Sequence, residues 1–310
     1  MSKSRRERME KGIFYINGEY CSGIDAKIPV YDAGFGYGAN TYDMVTLCNG
    51  FLIKLDSHVR RFYEGLHTLN FKLSLSKEEF KEVIFETVRR NRLKDGVISE
   101  ACTYGPFHFE VMGEEIGPPD REATLIVACH PSSAQSQREE VQKIGLKARI
   151  TKIKDYPVQC IEARVKNYDR LNYYLARMEL RGTDATMALL TDMDGYLTQG
   201  TGENLWVIRD SKLFTPGGNV LYGITREAVF DIAKLENIEA METRLTPHQI
   251  YNADEVFVCS SRPGGLFPII EVDKRKIGDG QPGSITKYLI DAFRKMHVDP
   301  KYATKVPGLE

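Results

Sequence analysis

The chain is organised around residues 163–180, which read ARVKNYDRLNYYLARMEL, and residues 186–204, which read TMALLTDMDGYLTQGTGEN. Lys166 precedes a segment whose apolar residues recur at helical spacing, namely Leu171, Tyr174, Leu175 and Met178. A lysine at such a strand-to-helix junction lies near packed structure. Removal from water lowers the pKa of its amine, which makes the neutral amine available as a nucleophile. Position alone is a weak signal, because most lysines are solvated surface charges.

Composition describes an ordinary globular protein. The 310 residues suffice for one large domain or two of usual size, and the formal net charge of −1 argues against a nucleic-acid partner. The charged start MSKSRRERMEKG is no signal peptide, and no apolar run approaches the roughly 18 residues of a membrane span. The 6 cysteines are scattered without a C-x-x-C pair, and the 6 histidines are dispersed. We therefore expect a cytoplasmic protein with reduced thiols, no metal site and no membrane partner.

The N-terminal half contains short strand and helix signals. Asn17-Gly18 and Asn49-Gly50 predict hairpin turns, and residues 27–31 predict a further strand. The glycine-rich run at 32–38 has the spacing G-x-G-x-G, which favours a turn over a dinucleotide loop. Arg60 and Arg61 lie near the start of a predicted helix, about 100° apart around its axis, so they point in different directions. Two surface cations are the plain alternative to a binding role.

The C-terminal half contains a candidate anion site. Gly223 precedes a predicted helix that begins near Thr225, and a glycine there leaves backbone N–H groups without a side-chain cap. An ordinary Thr N-cap is the alternative. Ser260 and Ser261 follow a predicted strand and could donate to the same kind of group. The polar residues 131–137 predict a linker, which divides the chain into domains at 1–130 and 138–310.

Four separated motifs resemble one family. VKNY with Lys166, LTQGTGENLW, YGITRE at 222–227 and HVRRF at 58–62 are similar to those of the class IV aminotransferases. These fold-type IV pyridoxal-phosphate enzymes include branched-chain, D-amino-acid and (R)-selective amine aminotransferases. The resemblance runs in order from about residue 12 to about residue 297. It implies an α+β, two-domain fold, with a smaller N-terminal α/β domain and a larger C-terminal domain that has a β-barrel-like core. It also implies a homodimer.

The resemblance assigns roles to particular residues. Lys166 would carry pyridoxal 5'-phosphate as a Schiff base, the internal aldimine, and then act as general base. Arg61 would grip the cofactor phosphate, and a position near a helix start suggests that it can be replaced without loss of folding. The other cofactor-binding residues implied are Gln199, Gly223, Ile224, Thr225, Ser260 and Ser261, with the choice between the two serines left open. The substrate pocket implied contains Phe35, Tyr42 and Tyr104.

Two departures from the family pattern bear on activity. Gln199 occupies the position of a glutamate that keeps the cofactor ring nitrogen protonated, and an amide supplies no full charge. The loop at 105–121 lacks the early arginine with which D-amino-acid aminotransferases bind the substrate carboxylate. We therefore expect apolar amino donors, with glutamate and aspartate poor donors.

The function predicted is transfer of an amino group from an amino acid (branched-chain or D-) or an (R)-amine to a 2-keto acid. One alternative is an enzyme like aminodeoxychorismate lyase, which would release pyruvate without a keto acceptor. The other is a cofactor-binding protein whose turnover is impaired because of Gln199.

Overall fold

The computed structural model describes residues 12–106, 122–132 and 135–309. The chain divides into two compact units. The first comprises Met1–Ser132, Val165–Asp169 and Pro300–Glu310, and the second comprises Ser133–Arg164 and Arg170–Asp299. The main division therefore falls within the predicted linker at 131–137. Two segments of the predicted second domain belong to the first unit instead: the short one that carries Lys166, and the C-terminus.

The first unit is built on a seven-stranded antiparallel sheet in the order β16-β4-β3-β5-β6-β1-β2. Its strands are β1 (Ile13–Ile16), β2 (Glu19–Ser22), β3 (Asn40–Cys48), β4 (Phe51–Ile53), β5 (Gly96–Thr103), β6 (Thr124–Pro131) and β16 (Ala303–Lys305). Both predicted hairpins form, because Asn17, Gly18, Asn49 and Gly50 all adopt the positive φ that these turns require. The predicted strand at 27–31 is wrong: these residues form no strand, and Pro29 has no N–H to donate to a sheet.

The described residues of this unit also form the helices α1 (Ala33–Gly36), α2 (Leu55–Thr68) and α3 (Lys77–Asn91). Helix α2 packs on β3, and α3 packs on β1 and β6. Helix α3 begins with a capping box, in which the Ser76 hydroxyl accepts from the Glu79 N–H and the Glu79 carboxylate accepts from the Ser76 N–H. The apolar faces of both helices complete the core, where the Phe62 and Phe80 rings stack at 4.9 Å.

The second unit is built on a closed barrel. Its strands are β7 (Leu146–Lys154), β8 (Met187–Thr191), β9 (Leu197–Gly200), β10 (Asn204–Arg209), β11 (Lys212–Pro216), β12 (Ala240–Thr243), β13 (Glu255–Cys259), β14 (Leu266–Val272) and β15 (Arg275–Lys276). The order β12-β11-β10-β13-β14-β7-β8-β9, with an additional pairing of β9 to β10, closes six strands on themselves. The expected β-barrel-like core is thus confirmed, and its interior is filled by aliphatic side chains such as Leu189, Leu205 and Val258.

The described part of this unit also contains the helices α4 (Gln135–Ile144), α5 (Leu171–Met178), α6 (Ile224–Leu235), α7 (Pro247–Tyr251) and α8 (Ser284–Met296). Helix α5 forms where the spacing predicts it, but its apolar side chains Leu171, Tyr174 and Leu175 are exposed, whereas Asn172 and Ala176 are buried. The apolar spacing therefore marks an outer face, not a core face. Across the described ranges, no helix combines the length and apolar character needed to cross a membrane.

Candidate active site

Lys166 lies in a short irregular segment that is hydrogen-bonded to the start of β3. The Lys166 carbonyl accepts from the Tyr42 N–H at 2.8 Å and from the Thr41 hydroxyl at 3.2 Å, although 125 residues separate Thr41 from Lys166. Two residues later, the Tyr168 N–H donates to Asn40 Oδ1 at 2.8 Å. These bonds fix the backbone on both sides of the Lys166 side chain. The lysine therefore has a defined position before any ligand binds.

The Lys166 amine lies over an aromatic ring. Its Nζ is 4.7 Å from the centre of the Tyr42 ring, and that ring stacks on Tyr168 at 4.1 Å with an angle of 8° between the planes. Tyr42 is buried, whereas Lys166 is only partly exposed. The two stacked rings restrict the directions available to the lysine side chain. Tyr42, predicted as a pocket residue, is thus a neighbour of the predicted catalytic lysine.

A buried ionic cluster lies beside this lysine. Arg61 donates to both oxygens of Asp43, from Nε at 2.9 Å and from Nη2 at 2.7 Å. Burial alone would raise the pKa of Asp43, but the charge of Arg61 and the hydrogen bond from His58 outweigh it and hold that pKa well below its usual value. An ionised carboxylate only accepts, so His58 Nδ1, 2.8 Å away, carries the proton. Burial lowers the pKa of His58, Asp43 opposes this, and the charges of Arg61 and Lys166 lower it further.

The two neighbouring arginines do point in different directions, as the helix geometry predicts. The Arg61 side chain is 10% exposed, whereas that of Arg60 is 55% exposed and lies 4.0 Å from Glu64.

Sequence reasoning missed Asp43, the partner of Arg61. It also missed Glu100, which lies opposite Asp43 in the β3–β5 register and whose pKa is raised well above its usual value by burial and by the Asp43 charge. An acidic residue within a strand whose other residues are uncharged was the available signal for both.

Gly223, Ile224 and Thr225, which are predicted to form an anion site, lie at the start of α6 in the second unit. The first N–H groups of α6 have no intrahelical acceptor, and the cap residue Gly223 has no side chain that could accept from them. A Cβ atom on Gly223 would lie 2.1 Å from Asn204 Oδ1, so no other residue fits there without movement. The Thr225 and Ser261 hydroxyl oxygens are 3.5 Å apart. Backbone N–H groups with two hydroxyls are a suitable donor set for a phosphate group.

The structure distinguishes the two candidate serines. Ser261 lies next to Thr225, as described above, whereas the Ser260 hydroxyl accepts from the Arg262 N–H at 3.4 Å within its own turn. The Ser260 N–H also donates to the Gly265 carbonyl at 2.9 Å. Ser261 is therefore the serine placed at the start of α6.

Gln199 lies buried on β9 in a network of hydrogen bonds. Its Nε2 donates to Asp155 Oδ2 and to the Tyr173 hydroxyl, each at 2.8 Å, and its Oε1 accepts from the Leu221 N–H at 3.3 Å. Burial raises the pKa of Asp155, and the hydrogen bond from Gln199 opposes that rise. Sequence reasoning missed Asp155. Its place directly after a strand was the available signal.

The remaining predicted pocket residues lie in the first unit. The Phe35 side chain is 76% exposed, on the short helix α1. Tyr104 is partly buried, with its ring 5.7 Å from that of Phe71. Of the loop at 105–121, which lacks the early arginine of the D-amino-acid aminotransferases, residues 107–121 lie outside the described residues.

Comparison with known proteins gives consistent matches over nearly the whole chain. The family model for Amino-transferase class IV matches residues 40–272. A putative branched-chain-amino-acid aminotransferase of Methanocaldococcus jannaschii is 31% identical over 294 residues, which cover 94% of this chain and 98% of the relative. The T.th. branched-chain amino acid aminotransferase, solved with pyridoxamine 5'-phosphate, aligns with a TM-score of 0.87 at 28% identity, covering 96% of this chain and 99% of that one. Its complex with N-(5'-phosphopyridoxyl)-L-glutamate aligns with a TM-score of 0.86 at 28% identity, with the same coverage.

Proposed function

Because this chain belongs to the class IV aminotransferases, which use pyridoxal phosphate, we propose that it transfers the amino group of branched-chain amino acids to a 2-keto acid. The observation that carries this proposal is the Lys166 amine, held over Tyr42 by backbone hydrogen bonds from β3. The names of the relatives, given for a branched-chain substrate, support the donor class. The stretch 103–106, TYGP, offers no arginine to a donor carboxylate.

The acceptor proposed is 2-oxoglutarate. The relative that was solved with a phosphopyridoxyl-L-glutamate adduct supports glutamate and its keto acid as the second substrate pair. This proposal departs from the sequence-based expectation that glutamate is a poor donor.

Each residue has a proposed task in the reaction. When bound, pyridoxal phosphate supplies an electron-withdrawing ring that stabilises the charge left when the substrate loses its proton. Lys166 Nζ attaches the cofactor covalently between turnovers, and it removes and returns the substrate proton. The stacked rings of Tyr42 and Tyr168 keep this amine in one direction. Gln199 hydrogen-bonds the ring nitrogen.

The phosphate ligands proposed are the hydroxyls of Thr225 and Ser261 and the first N–H groups of α6, which include those of Ile224 and Thr225. The Arg61 guanidinium is proposed as a further phosphate ligand. Asp43 holds its orientation through a bidentate pair.

We also propose that the enzyme is a homodimer. Several large apolar side chains are exposed in each unit, such as Val30 and Phe35 in the first and Leu171 and Tyr174 in the second. A second copy of the chain would remove such surface from water. Sedimentation equilibrium should give twice the chain mass, and a monomer at micromolar concentration would contradict this part of the proposal.

The role of Lys166 is tested by chemical trapping. Borohydride reduction of the holoenzyme, followed by peptide mapping, should place the pyridoxyl group on Lys166. Lys166→Arg keeps the positive charge but should give no adduct and no amino transfer. Lys154→Arg, at a lysine whose amine donates to Thr191, is the matched control and should leave the adduct intact. An adduct on any other lysine would overturn the assignment.

The substrate class is tested by a donor panel with 2-oxoglutarate as acceptor. L-leucine, L-isoleucine and L-valine should give higher kcat/KM than L-aspartate, D-alanine or (R)-1-phenylethylamine. Pyruvate release from aminodeoxychorismate without a keto acid would indicate a lyase instead. Reduction of the cofactor adduct on Lys166 without any amino transfer would indicate a cofactor-binding protein with impaired turnover.

A further inference from the structure

The orientation of the Gln199 amide is determined by its partners. The Asp155 carboxylate can only accept a hydrogen bond from an amide, and the Leu221 N–H can only donate one. The amide nitrogen must therefore face Asp155, and the amide oxygen must face Leu221. Both hydrogens of the nitrogen have partners, Asp155 and the Tyr173 hydroxyl. Among the described residues, only the oxygen retains an unused lone pair.

The hydrogen bonds around Asp155 oppose the effect of its burial and favour its ionised form. Its carboxyl accepts from Gln199 Nε2 at 2.8 Å, from the Tyr156 N–H at 3.2 Å and from Asn172 Nδ2 at 3.3 Å. These partners are all donors, and donors stabilise a carboxylate over a carboxylic acid. Within the described part of the chain, no lysine or arginine forms an ion pair with Asp155. Its negative charge is therefore not neutralised where it meets Gln199.

We propose that Asp155 is a positioning residue. It fixes Gln199 as a hydrogen-bond acceptor for the protonated ring nitrogen of pyridoxal phosphate. It also supplies, through Gln199, the negative charge that a glutamate at position 199 would supply directly. This inference rests on the proposed function, in which Gln199 meets that nitrogen. An amide held in this orientation presents an acceptor, so it binds a ring nitrogen only when that nitrogen carries a proton. The carboxylate behind it stabilises the same protonated form.

Asp155 fits this role better than the other acid of the motif. Glu203, four positions beyond Gln199 in the sequence, is bound through Oε1 to Arg262 Nη1 at 2.8 Å. Its charge is thus already compensated. Asp155 is a direct neighbour of the Gln199 amide, and Gln199 lies 44 residues from it in the sequence.

The contact with Asp155 determines what Gln199→Glu alone should do. A carboxylate at position 199 would face the Asp155 carboxylate where the present contact is 2.8 Å. Two carboxylates that close cannot both ionise, so they would share a proton. The single variant should therefore fail to raise the protonation of the ring nitrogen. The exchanged pair Asp155→Asn/Gln199→Glu keeps one charge and one amide in contact. Its ring nitrogen should therefore be protonated to the wild-type extent, unlike that of Asp155→Asn alone.

The experiment measures the cofactor directly. Each holoenzyme is reconstituted with pyridoxal phosphate labelled with ¹⁵N in the ring, and the ¹⁵N chemical shift is followed between pH 6 and 9. In Asp155→Asn the ratio of protonated to unprotonated ring nitrogen should fall by about tenfold or more, which corresponds to about one unit in the pKa of the ring nitrogen. The exchanged pair should return to the wild-type shift. The control Asp192→Asn, at a carboxylate that accepts only turn N–H groups, should not change it.

Tyr173→Phe distinguishes charge from packing. It removes one partner of Gln199 and one hydrogen bond to Asp155 but leaves the Asp155 carboxyl in contact with Gln199, so the protonated fraction should fall less than in Asp155→Asn. The proposal would be overturned if the protonation of the ring nitrogen fell as far in Tyr173→Phe as in Asp155→Asn. It would also be overturned if the ¹⁵N shift in Asp155→Asn were unchanged, or if the exchanged pair did not return to the wild-type shift. If Asp155→Asn does not fold, the exchanged pair and Tyr173→Phe decide the matter.

Failure of the proposed function would look different. The borohydride adduct and leucine transamination of the wild type test that function, without reference to Asp155. A wild type lacking the adduct on Lys166 would remove the premise. A wild type with both properties, whose ring nitrogen does not respond to substitution at position 155, would remove this inference alone.

Discussion

Asp43 and Arg61 form an ion pair whose side chains are 2% and 10% exposed. Removal of one partner leaves the other charge buried, which costs about 3–5 kcal/mol. Arg61→Ala should therefore lower the free energy of unfolding by about that amount, contrary to the sequence-based expectation that Arg61 is dispensable for folding. Arg60→Ala, at the exposed neighbour, should cost less than about 1 kcal/mol. Urea unfolding of the two variants measures the difference.

A double variant separates the folding role of Arg61 from its proposed phosphate role. Asp43→Asn/Arg61→Ala leaves no uncompensated charge, so it should regain part of the lost stability. Its affinity for pyridoxal phosphate should stay as low as that of Arg61→Ala, whereas its affinity for pyridoxal should equal that of the wild type. Equal destabilisation by Arg60→Ala and Arg61→Ala would contradict the buried pair.

The residues that bind Arg61 and Gln199 in the folded chain could not be identified as their partners from the sequence. Arg61, Gln199 and Lys166 follow from motifs, because each motif is a local run of letters. Their partners depend on tertiary contacts: Asp43 on β3 lies 18 residues from Arg61 on α2, and Asp155 lies 44 residues from Gln199. Spacing along the chain holds no information about such contacts until the register of the strands is known.

Helix α6 offers a direct test of the anion site. Ser261→Ala removes a hydroxyl that lies 3.5 Å from that of Thr225, whereas Ser260→Ala removes one that faces its own turn. A hydrogen bond to a charged group contributes about 1.5–3 kcal/mol, so Ser261→Ala should weaken binding of pyridoxal phosphate about tenfold or more. Binding of pyridoxal, which lacks the phosphate, should not change. Fluorescence titration of both ligands with both variants measures this, and a larger loss in Ser260→Ala would reverse the assignment.

Elements were predictable where local chemistry decides them. The hairpins at Asn17-Gly18 and Asn49-Gly50 follow from the backbone conformation that these residues favour, and both form. Apolar spacing was less informative. The periodic residues of α5 are exposed, because spacing shows that a face is apolar but not what covers it.

At the level of the whole chain, barrel closure was expected only through the family resemblance. It depends on the pairing of Gln199 with Asn204, which joins β9, the last strand of the order, back to β10. The sequence also did not predict which short segments belong to which unit. Lys166 belongs to the first unit although both flanking stretches belong to the second, and no composition change marks those crossings.

The last prediction concerns stability in acid. His297, at the end of α8, is buried edge-on against the Phe293 ring at 4.8 Å. Burial, with the nearby charges of Arg294 and Arg138, lowers the pKa of His297 to about 4. In the unfolded chain a histidine has a pKa of about 6.5. Between pH 6.5 and about pH 4, the histidine binds a proton in the unfolded chain but not in the folded one. The free energy of unfolding therefore decreases as the pH is lowered to about 4, and then levels off.

His297→Gln should remove this contribution. Each pH unit is equivalent to about 1.4 kcal/mol for one proton, so between pH 7 and pH 5 the wild type should lose about 2 kcal/mol more than the variant. His58, whose pKa is also lowered, is present in both proteins and cancels in the comparison. His248→Gln, at an exposed histidine on α7, is the matched control and should keep the wild-type slope. Urea unfolding at closely spaced pH values gives the slopes directly. Identical slopes for the wild type and His297→Gln would mean that the buried ring accepts a proton in the folded protein as readily as in the unfolded one.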